Sequence, residues 1–505
     1  MSTDVASERG PRRLDPFAGV VALGSLVVFA LHGTEGMLSR DLGIYAYAGQ
    51  QVADGVPPYV GVLNRAGPLA HVLPGVGVVL ARLGGLDDLF GVRLLYLAFA
   101  VGCVVLVHLL GRDLFGSPWA GLASAASFLS FSGFIMFAAG GPREKTPMLL
   151  FLLLSLLAAG RRRWLAAGVF LGLATLVLQI ILTVGAPALL VAALLGESGR
   201  ARLTACLRIV AGGAAVLAAT VLYFLAVGHL DEFVEGFVMI NAEYTKAAPP
   251  LTGVVGDWGR VVRGYGTSTM ILVGGLLALP VLAVAAHRRS DPAAPLLTGM
   301  SVATLTGVAW MVHDFDSWPD AFPVLPLAAL GAGGTLAALG RRLGGRRGIA
   351  LVVAWSLAAT GLALAFSLGE RDHVLEVQRR SVDAMLTEIP DASIVSIQAP
   401  QPLVLSGRRN PTRHQMFANG LARYVDDTWP GGMPGFQRSL LDAHPDLVAI
   451  GTPGNQRWRR AMRPAYARVG RAPGWIWLAR RSLGPEELQR LRDAHRAARS
   501  WPPDR

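Results

Sequence analysis

Lysine is nearly missing from this chain: of 46 basic Lys and Arg residues in 505, only Lys145 and Lys246 are lysines. The bias toward arginine reflects coding composition more than chemistry, and suggests a high-GC bacterium. Charge of either sign is scarce as well, at 16% against 52% hydrophobic residues, and the mean hydropathy of +0.46 lies outside the range of soluble domains. An integral membrane protein follows. The two cysteines, Cys103 and Cys206, fall in or beside apolar segments with no CxxC pattern, which excludes a disulfide framework and a cysteine-held metal. Nucleic-acid binding would need arginines gathered on a soluble face between aromatics; here most of them flank apolar runs. The leader 1–16 is polar, and no small-residue cleavage site follows the first apolar run, so that run reads as a retained signal anchor.

A helix needs about 20 apolar residues to cross the hydrocarbon core. Eleven segments meet or approach that length: 17–33, 90–110, 118–139, 145–160, 163–178, 180–196, 207–228, 268–286, 293–312, 320–339 and 348–367. A twelfth run, 67–83, is broken by Pro68, Pro74 and several glycines. If it does not cross, Arg12 and Arg13, Arg112, Arg161 to Arg163, Arg200 and Arg202, Arg288 and Arg289, and Arg341 to Arg347 all fall on one side. Arginine excess marks the cytoplasmic face, so 67–83 is expected to be a juxtamembrane helix and the N-terminus cytoplasmic. The outer side then carries 34–89, 140–144, 229–267, 313–319 and everything beyond 368.

The composition changes at that point. Short runs such as ASIVSIQ, PDLVAIGTP and GWIWLARR between turn residues predict strands among helices. The expected fold is a polytopic α-helical membrane domain over 17–368, with first outer loop 34–89, followed by a small extracytoplasmic α/β domain over 369–505. A solvated amphipathic helix (PEELQRLRDAHRAARS) is expected near its end.

Polar and ionisable residues gather at the predicted outer span ends: Asp41, Tyr45, Tyr47, Arg65, His71, Arg143, Glu144, Asn241, Tyr244 and His313 among them. Polar groups at span ends are costly unless wet or paired, so they raise a site. Glu144 sits in a hairpin too short to lift it off the membrane; it either caps the helix beginning near Lys145 or faces Asp41 as a second carboxylate. Tyr45 and Tyr47 cannot share a helix face: one contacts a sugar while the other anchors at the interface, or both anchor. His71 and His313 read as packing or solvated residues more readily than as ligands. The stretch 241–246 suits a lid or a lipid contact, and 407–417 a solvated loop or a guide for an anionic group.

The order of DLGIYAYAGQQVADGVPPYVGVLNRAGPL, RLLYLAFAVGCVVLVHLLGRDLFG, GPREKTPMLL and DFDSWPDAFPVLPLAALGAG resembles the GT-C glycosyltransferase superfamily. More narrowly, it is similar to bacterial protein O-mannosyltransferase and aminoarabinose-transferase-like membrane proteins. The resemblance implies transfer of a sugar from a polyprenyl-phosphate donor to a hydroxyl of a cell-envelope glycan, glycolipid or protein, outside the bacterial cytoplasmic membrane. It places the catalytic carboxylates at Asp41 and Glu144. Tyr45, Tyr47, Arg65, Arg143, Asn241, Tyr244 and His313 are the candidates for substrate contact. The family's basic residue before two prolines is replaced here by Asn64-Arg65-Ala66-Gly67-Pro68.

The chemistry is coherent on its own. A carboxylate near an acceptor hydroxyl suits a general base, and arginine forks suit a leaving phosphate. Asp41 and Glu144 are hard oxygen ligands of the kind that Mg²⁺ or Mn²⁺ takes, although no dense ligand motif such as HExxH occurs. Two other functions fit less well. A transporter predicts charges at mid-membrane depth and repeated halves, neither of which is found; a non-catalytic lipid-carrier-binding scaffold would fit the departure around Arg65.

Overall fold

The computed structural model describes residues 15–244, 254–418 and 420–499. The leader up to residue 14 and Lys246 lie outside them. Helices cover the eleven expected segments, 118–139 by two of them. The first is α1 (Pro16–His32), opened by Pro16 and by the Asp15 side chain, which accepts from Phe17 N at 3.0 Å. Then come α2 (Arg40–Ala53), α3 (Leu69–Leu83) and α4 (Asp88–Phe115). They are followed by α5 (Pro118–Leu129), α6 (Ser132–Ala138), α7 (Lys145–Gly160), α8 (Trp164–Val177), α9 (Leu182–Gly196) and α10 (Arg200–Ala226). The helices Thr269–Arg288, Ala294–His313, Leu325–Leu343 and Gly345–Gly369 complete the bundle.

Among the described residues seven helical stretches are long and apolar enough to cross a bilayer, and the pair α5 and α6 makes an eighth. α1, α7 and α8 are apolar but only 14 to 17 residues long. The segment expected as one span at 118–139 is bent by 77° between α5 and α6. Ser130 Oγ donates back to the Ser127 carbonyl at 2.8 Å, the kind of local bond that competes with the helical ladder.

The run 67–83 is helical over α3, which packs on α2 through glycine contacts: a Cβ at Gly49 would lie 2.7 Å from the Pro74 backbone. Its other side exposes Val76, Val79, Leu80 and Leu83. Arg93, fully buried on α4, donates to the carbonyls of Thr34 and Gly36 and so fixes the chain between α1 and α2.

The C-terminal domain carries a four-stranded sheet in the order β1-β2-β4-β3. β1 (Ile394–Ile397) and β2 (Leu447–Gly451) are parallel, while β4 (Trp475–Arg480) runs antiparallel to β2 and to β3 (Tyr466–Ala472). Three strands match the predicted runs; β3 was not anticipated, because YARVGRA alternates poorly and carries two arginines. Every residue of β1 and β2 is buried, as a sheet covered on both faces requires. One apolar core joins this domain to the first loop of the bundle, combining Leu38, Tyr47, Tyr59 and Leu63 with Leu403, Val404 and Phe417. Gln378 stitches the seam, accepting from Leu38 N and donating to Leu38 O, both at 2.9 Å.

Candidate active site

The Ser39 side chain caps α2 by accepting from Leu42 N at 3.3 Å, which places Arg40 and Asp41 in the first turn. There they meet the loop before α7. Arg143 Nη1 donates to Asp41 Oδ2 at 2.9 Å, and Arg40 Nε donates to Asp41 Oδ1 at 3.0 Å. Arg143 Nε lies 3.3 Å from Glu144 Oε2, and its guanidinium stands over the Phe137 ring at 5.2 Å. These groups border a cavity of 750 Å³, into which Tyr45, Asn64, Arg65, Lys145, Gln179 and Asn241 also face.

The opposite wall is the turn 314–320. Lys145 Nζ pairs with Asp320 Oδ1 at 2.5 Å, while Asp320 Oδ2 accepts from Asp316 N and Ser317 N at 2.8 and 3.0 Å. Arg65 is steered by Asn241: its Nε donates to Asn241 Oδ1 at 3.2 Å, and Asn241 Nδ2 donates to the Arg65 carbonyl at 3.1 Å. Met416, Ala418 and Leu421 of the C-terminal domain close one edge. A shallower groove of 430 Å³ between α9 and the helix Ala294–His313 shares Thr183 and Trp310 with the cavity and is otherwise lined by Pro187, Thr306, Ala309 and His313.

Electrostatics follow from this packing. Burial alone would raise the Asp41 carboxyl, but Arg143 and Arg40 outweigh it and hold the group well below the usual carboxylate range. Its side chain keeps 39% exposure and lines the cavity. Burial would lower the Arg143 guanidinium; Glu144 and Asp41 overcome that and push it up, so it stays charged. Burial, reinforced by Glu144, drives the Tyr45 phenol well up, leaving a neutral hydroxyl.

Six of the nine residues singled out by sequence therefore come together: Asp41, Glu144, Arg143, Tyr45, Arg65 and Asn241. Three do not. Tyr47 is turned to the other side of α2, where its hydroxyl accepts from Asn410 N at 2.9 Å. Tyr244 meets Tyr424 edge-on at 5.2 Å and lies under the Arg423 guanidinium. His313 lines the shallow groove, its ring tilted against Trp310 at 5.8 Å, and is not among the residues lining the cavity. Glu144 occupies the N-cap position of α7, at the positive end of that helix, without a side-chain capping hydrogen bond, and pairs with Arg143.

Sequence reasoning did not select Arg40, Gln179, Asn64, Lys145 or Asp320 for the site. Arg40, beside Asp41 in a capped first turn, carried a usable signal.

Asp41 and Glu144 do not form a metal site as they stand. Both Asp41 oxygens are held by arginines, and among the described residues no three His, Cys, Asp or Glu side chains gather as a ligand set. The cavity lining carries Arg40, Arg65, Arg143 and Lys145 beside the carboxylates of Asp41, Glu144, Asp314, Asp316 and Asp320.

No protein-family model matches the sequence, and neither does any curated protein sequence. Solved structures do. The apo structure of ArnT from Cupriavidus metallidurans superposes with a TM-score of 0.62 at 15% identity, over 93% of this chain and 98% of that one. The same protein bound to undecaprenyl phosphate gives 0.59 at 15% identity, over 92% and 97%. The arabinofuranosyltransferase AftD from Mycobacteria gives 0.50 at 14% identity, over 92% of this chain but only 40% of its own. At such identities the likeness is one of fold: this chain has the fold seen in ArnT.

Proposed function

We propose that this chain transfers a glycosyl group from a polyprenyl-phosphate carrier to an acceptor hydroxyl within the 750 Å³ cavity. The observation that carries the reading is the meeting of Asp41 with Arg143, Glu144 and Arg65 at a cavity that shares Thr183 and Trp310 with an apolar groove. The carrier's phosphate sits among Arg143, Arg40 and Arg65, whose planar forks match its oxygens. Its isoprenoid chain leaves along the groove past Trp310. The GT-C fold, seen in a neighbour bound to undecaprenyl phosphate, supports this choice of donor.

In the reaction the acceptor oxygen attacks the anomeric carbon while the bond from that carbon to the phosphate oxygen breaks. A single displacement of this kind inverts the anomeric centre. The acceptor's proton passes to Asp41, and the charge growing on the leaving phosphate is met by the guanidinium groups. Glu144 holds Arg143 from behind and is the positioning carboxylate. We place the cavity on the outer face of a bacterial cytoplasmic membrane, with the N-terminus inside. The arginine clusters of the loops support that orientation.

The test is transfer from synthetic polyprenyl-phosphate sugars to envelope acceptors by purified Asp41→Asn and Glu144→Ala proteins. Both are expected to lose turnover, Asp41→Asn the more. Unimpaired transfer by both would remove the assignment. A folded wild-type protein that binds polyprenyl phosphate but transfers nothing from any donor would favour a carrier-binding scaffold, a role compatible with the two arginines that occupy Asp41.

A further inference from the structure

Away from the cavity, the end of the chain concentrates positive charge. Residues 452–505 contain thirteen arginines and four acids, whereas 369–451 contain eight arginines and ten acids. Much of this excess is brought to one place by the backbone. β3 is an edge strand, and in a regular strand residues three apart face opposite sides. The register of β3 against β4 shifts between Arg468 and Gly470, and this bulge puts Arg468 and Arg471 on the same side, as the exposed positions of an otherwise buried strand.

The helix Pro485–Arg499 supplies the other wall, with Arg492 and Arg496 one turn apart on one face. Gly470 permits its close approach, since a Cβ there would lie 2.6 Å from the His495 ring. His495 is buried and locks the two walls: its Nε2 accepts from Arg471 N at 2.9 Å, and its Nδ1 lies 3.4 Å from Ser381 Oγ. The result is a groove of 670 Å³ whose lining, among the described residues, holds four guanidinium groups and no carboxylate. The nearby Asp493 reaches Arg496 at 3.3 Å, in an exposed pair that solvent screens.

We propose that this groove is an anion-binding site for phosphate groups, separate from the transfer cavity and independent of the transferase reading. Four arginines fixed on two rigid elements present forks to phosphate oxygens without first breaking a buried ion pair. The phosphates come either from a phosphate-bearing polymer or from the headgroups of anionic lipid.

The experiment uses the full chain in nanodiscs and follows amide hydrogen exchange of 466–472 and 485–499. One arm adds inorganic polyphosphate to phosphatidylcholine discs; the other replaces phosphatidylcholine by phosphatidylglycerol. Slowed exchange in the first arm assigns the site to polymer phosphate, and in the second to lipid headgroups; either supports it. The variant R468Q/R471Q/R492Q/R496Q is expected to weaken the effect at least about tenfold, with β1 and β2 amides still protected as the sign of a folded domain. If that variant unfolds, R471Q/R496Q at exposed positions replaces it. The control R457Q/R459Q/R460Q, on the helix Gln456–Met462 outside the groove, is expected to change binding by less than about twofold. No protection in either arm overturns the proposal, as does a control that loses as much as the groove variant, since that would reduce the effect to net charge.

Discussion

Arg143 donates from Nη1 to Asp41 Oδ2 at 2.9 Å, tying the loop before α7 to the first turn of α2 across 102 positions of sequence. The bond keeps Asp41 ionised and makes it a weak base for as long as Arg143 stays there. A phosphate entering the cavity competes for the same guanidinium. In the proposed reaction, a turn of Arg143 toward that phosphate would take a partner from Asp41 and raise its basicity where the acceptor hydroxyl arrives. Asp41→Asn keeps the shape and removes the proton acceptor, so turnover is expected to fall by at least about 100-fold. Affinity for polyprenyl phosphate should hold or tighten. Steady-state transfer beside lipid-phosphate binding measures both, and turnover within a few-fold of wild type would refute the base assignment.

Glu144 depends on Arg143 in a different way. Its side chain is 5% exposed, and Oε2 has no hydrogen-bond partner besides the ion pair at 3.3 Å. Arg143→Ala should therefore lower thermal stability as well as activity, by roughly 3–5 kcal/mol, the usual cost of stranding one half of a buried pair. Arg143→Met combined with Glu144→Met should recover most of the stability and none of the transfer. Thermal unfolding in nanodiscs separates the two effects; a double variant as unstable as the single one would mean the pair is not the source.

How much of this was legible in the sequence depends on range. The spans announce themselves through run length, a local property. Glu144 stood out because its charge lies at a span end, and Asp41 because the family resemblance calls for a carboxylate soon after the first span. Orientation around a helix was less accessible: the period rule separated Tyr45 from Tyr47, but only packing on Asn410 decides which of them faces the cavity. Partnerships such as Lys145 with Asp320, 175 residues apart, leave no local trace. The bend after α5 was hidden for a related reason, since Ser130 sits in an apolar run that reads as one uninterrupted span.

Gly67 sits where the first loop touches α8. A Cβ added there would lie 2.0 Å from the Leu176 carbonyl oxygen, while Gly67 N donates to Val177 O at 2.9 Å. Gly67→Ala must push the loop outward and carry Arg65 with it. An overpacking cost of roughly 1–3 kcal/mol is expected, together with weaker donor binding. The KM for the lipid donor should rise more than kcat falls; an unchanged KM would show that Arg65 is not a donor contact.

His414 gives the C-terminal domain a pH limit. It lies among Trp429, Phe436 and Tyr424, where burial, helped by the charge of Arg413, lowers its pKa to about 4. The unfolded chain, with a histidine pKa of about 6.5, takes up the proton first as pH falls. Stability is therefore full above about 6.5 and is lost between about 6.5 and about 4, by at most about 3 kcal/mol. His414→Phe keeps an aromatic ring and removes the titration, so its acid slope in that window should be the shallower. Equal slopes would assign the loss to other groups.

The seam between the bundle and the C-terminal domain decides whether either can stand alone. Arg413 holds both oxygens of Glu235, at 2.8 and 2.9 Å, Tyr424 donates to the same carboxylate, and Leu63 N donates to the Arg413 carbonyl at 2.9 Å. Removing 369–505 would strip these partners and uncover Leu38, Tyr47, Tyr59 and Leu63, which share one core with that domain. A tail that merely shaped acceptor access would leave a folded, catalytically altered bundle after deletion. This tail supplies part of the first loop's packing, and that loop carries Asp41 and Arg65. Truncation is thus expected to yield aggregated or unfolded protein. The milder Arg413→Met should loosen the seam, seen as faster exchange of the Leu63 amide, with transfer reduced in proportion. A monodisperse truncated bundle with native donor affinity would show instead that the loop holds its shape unaided.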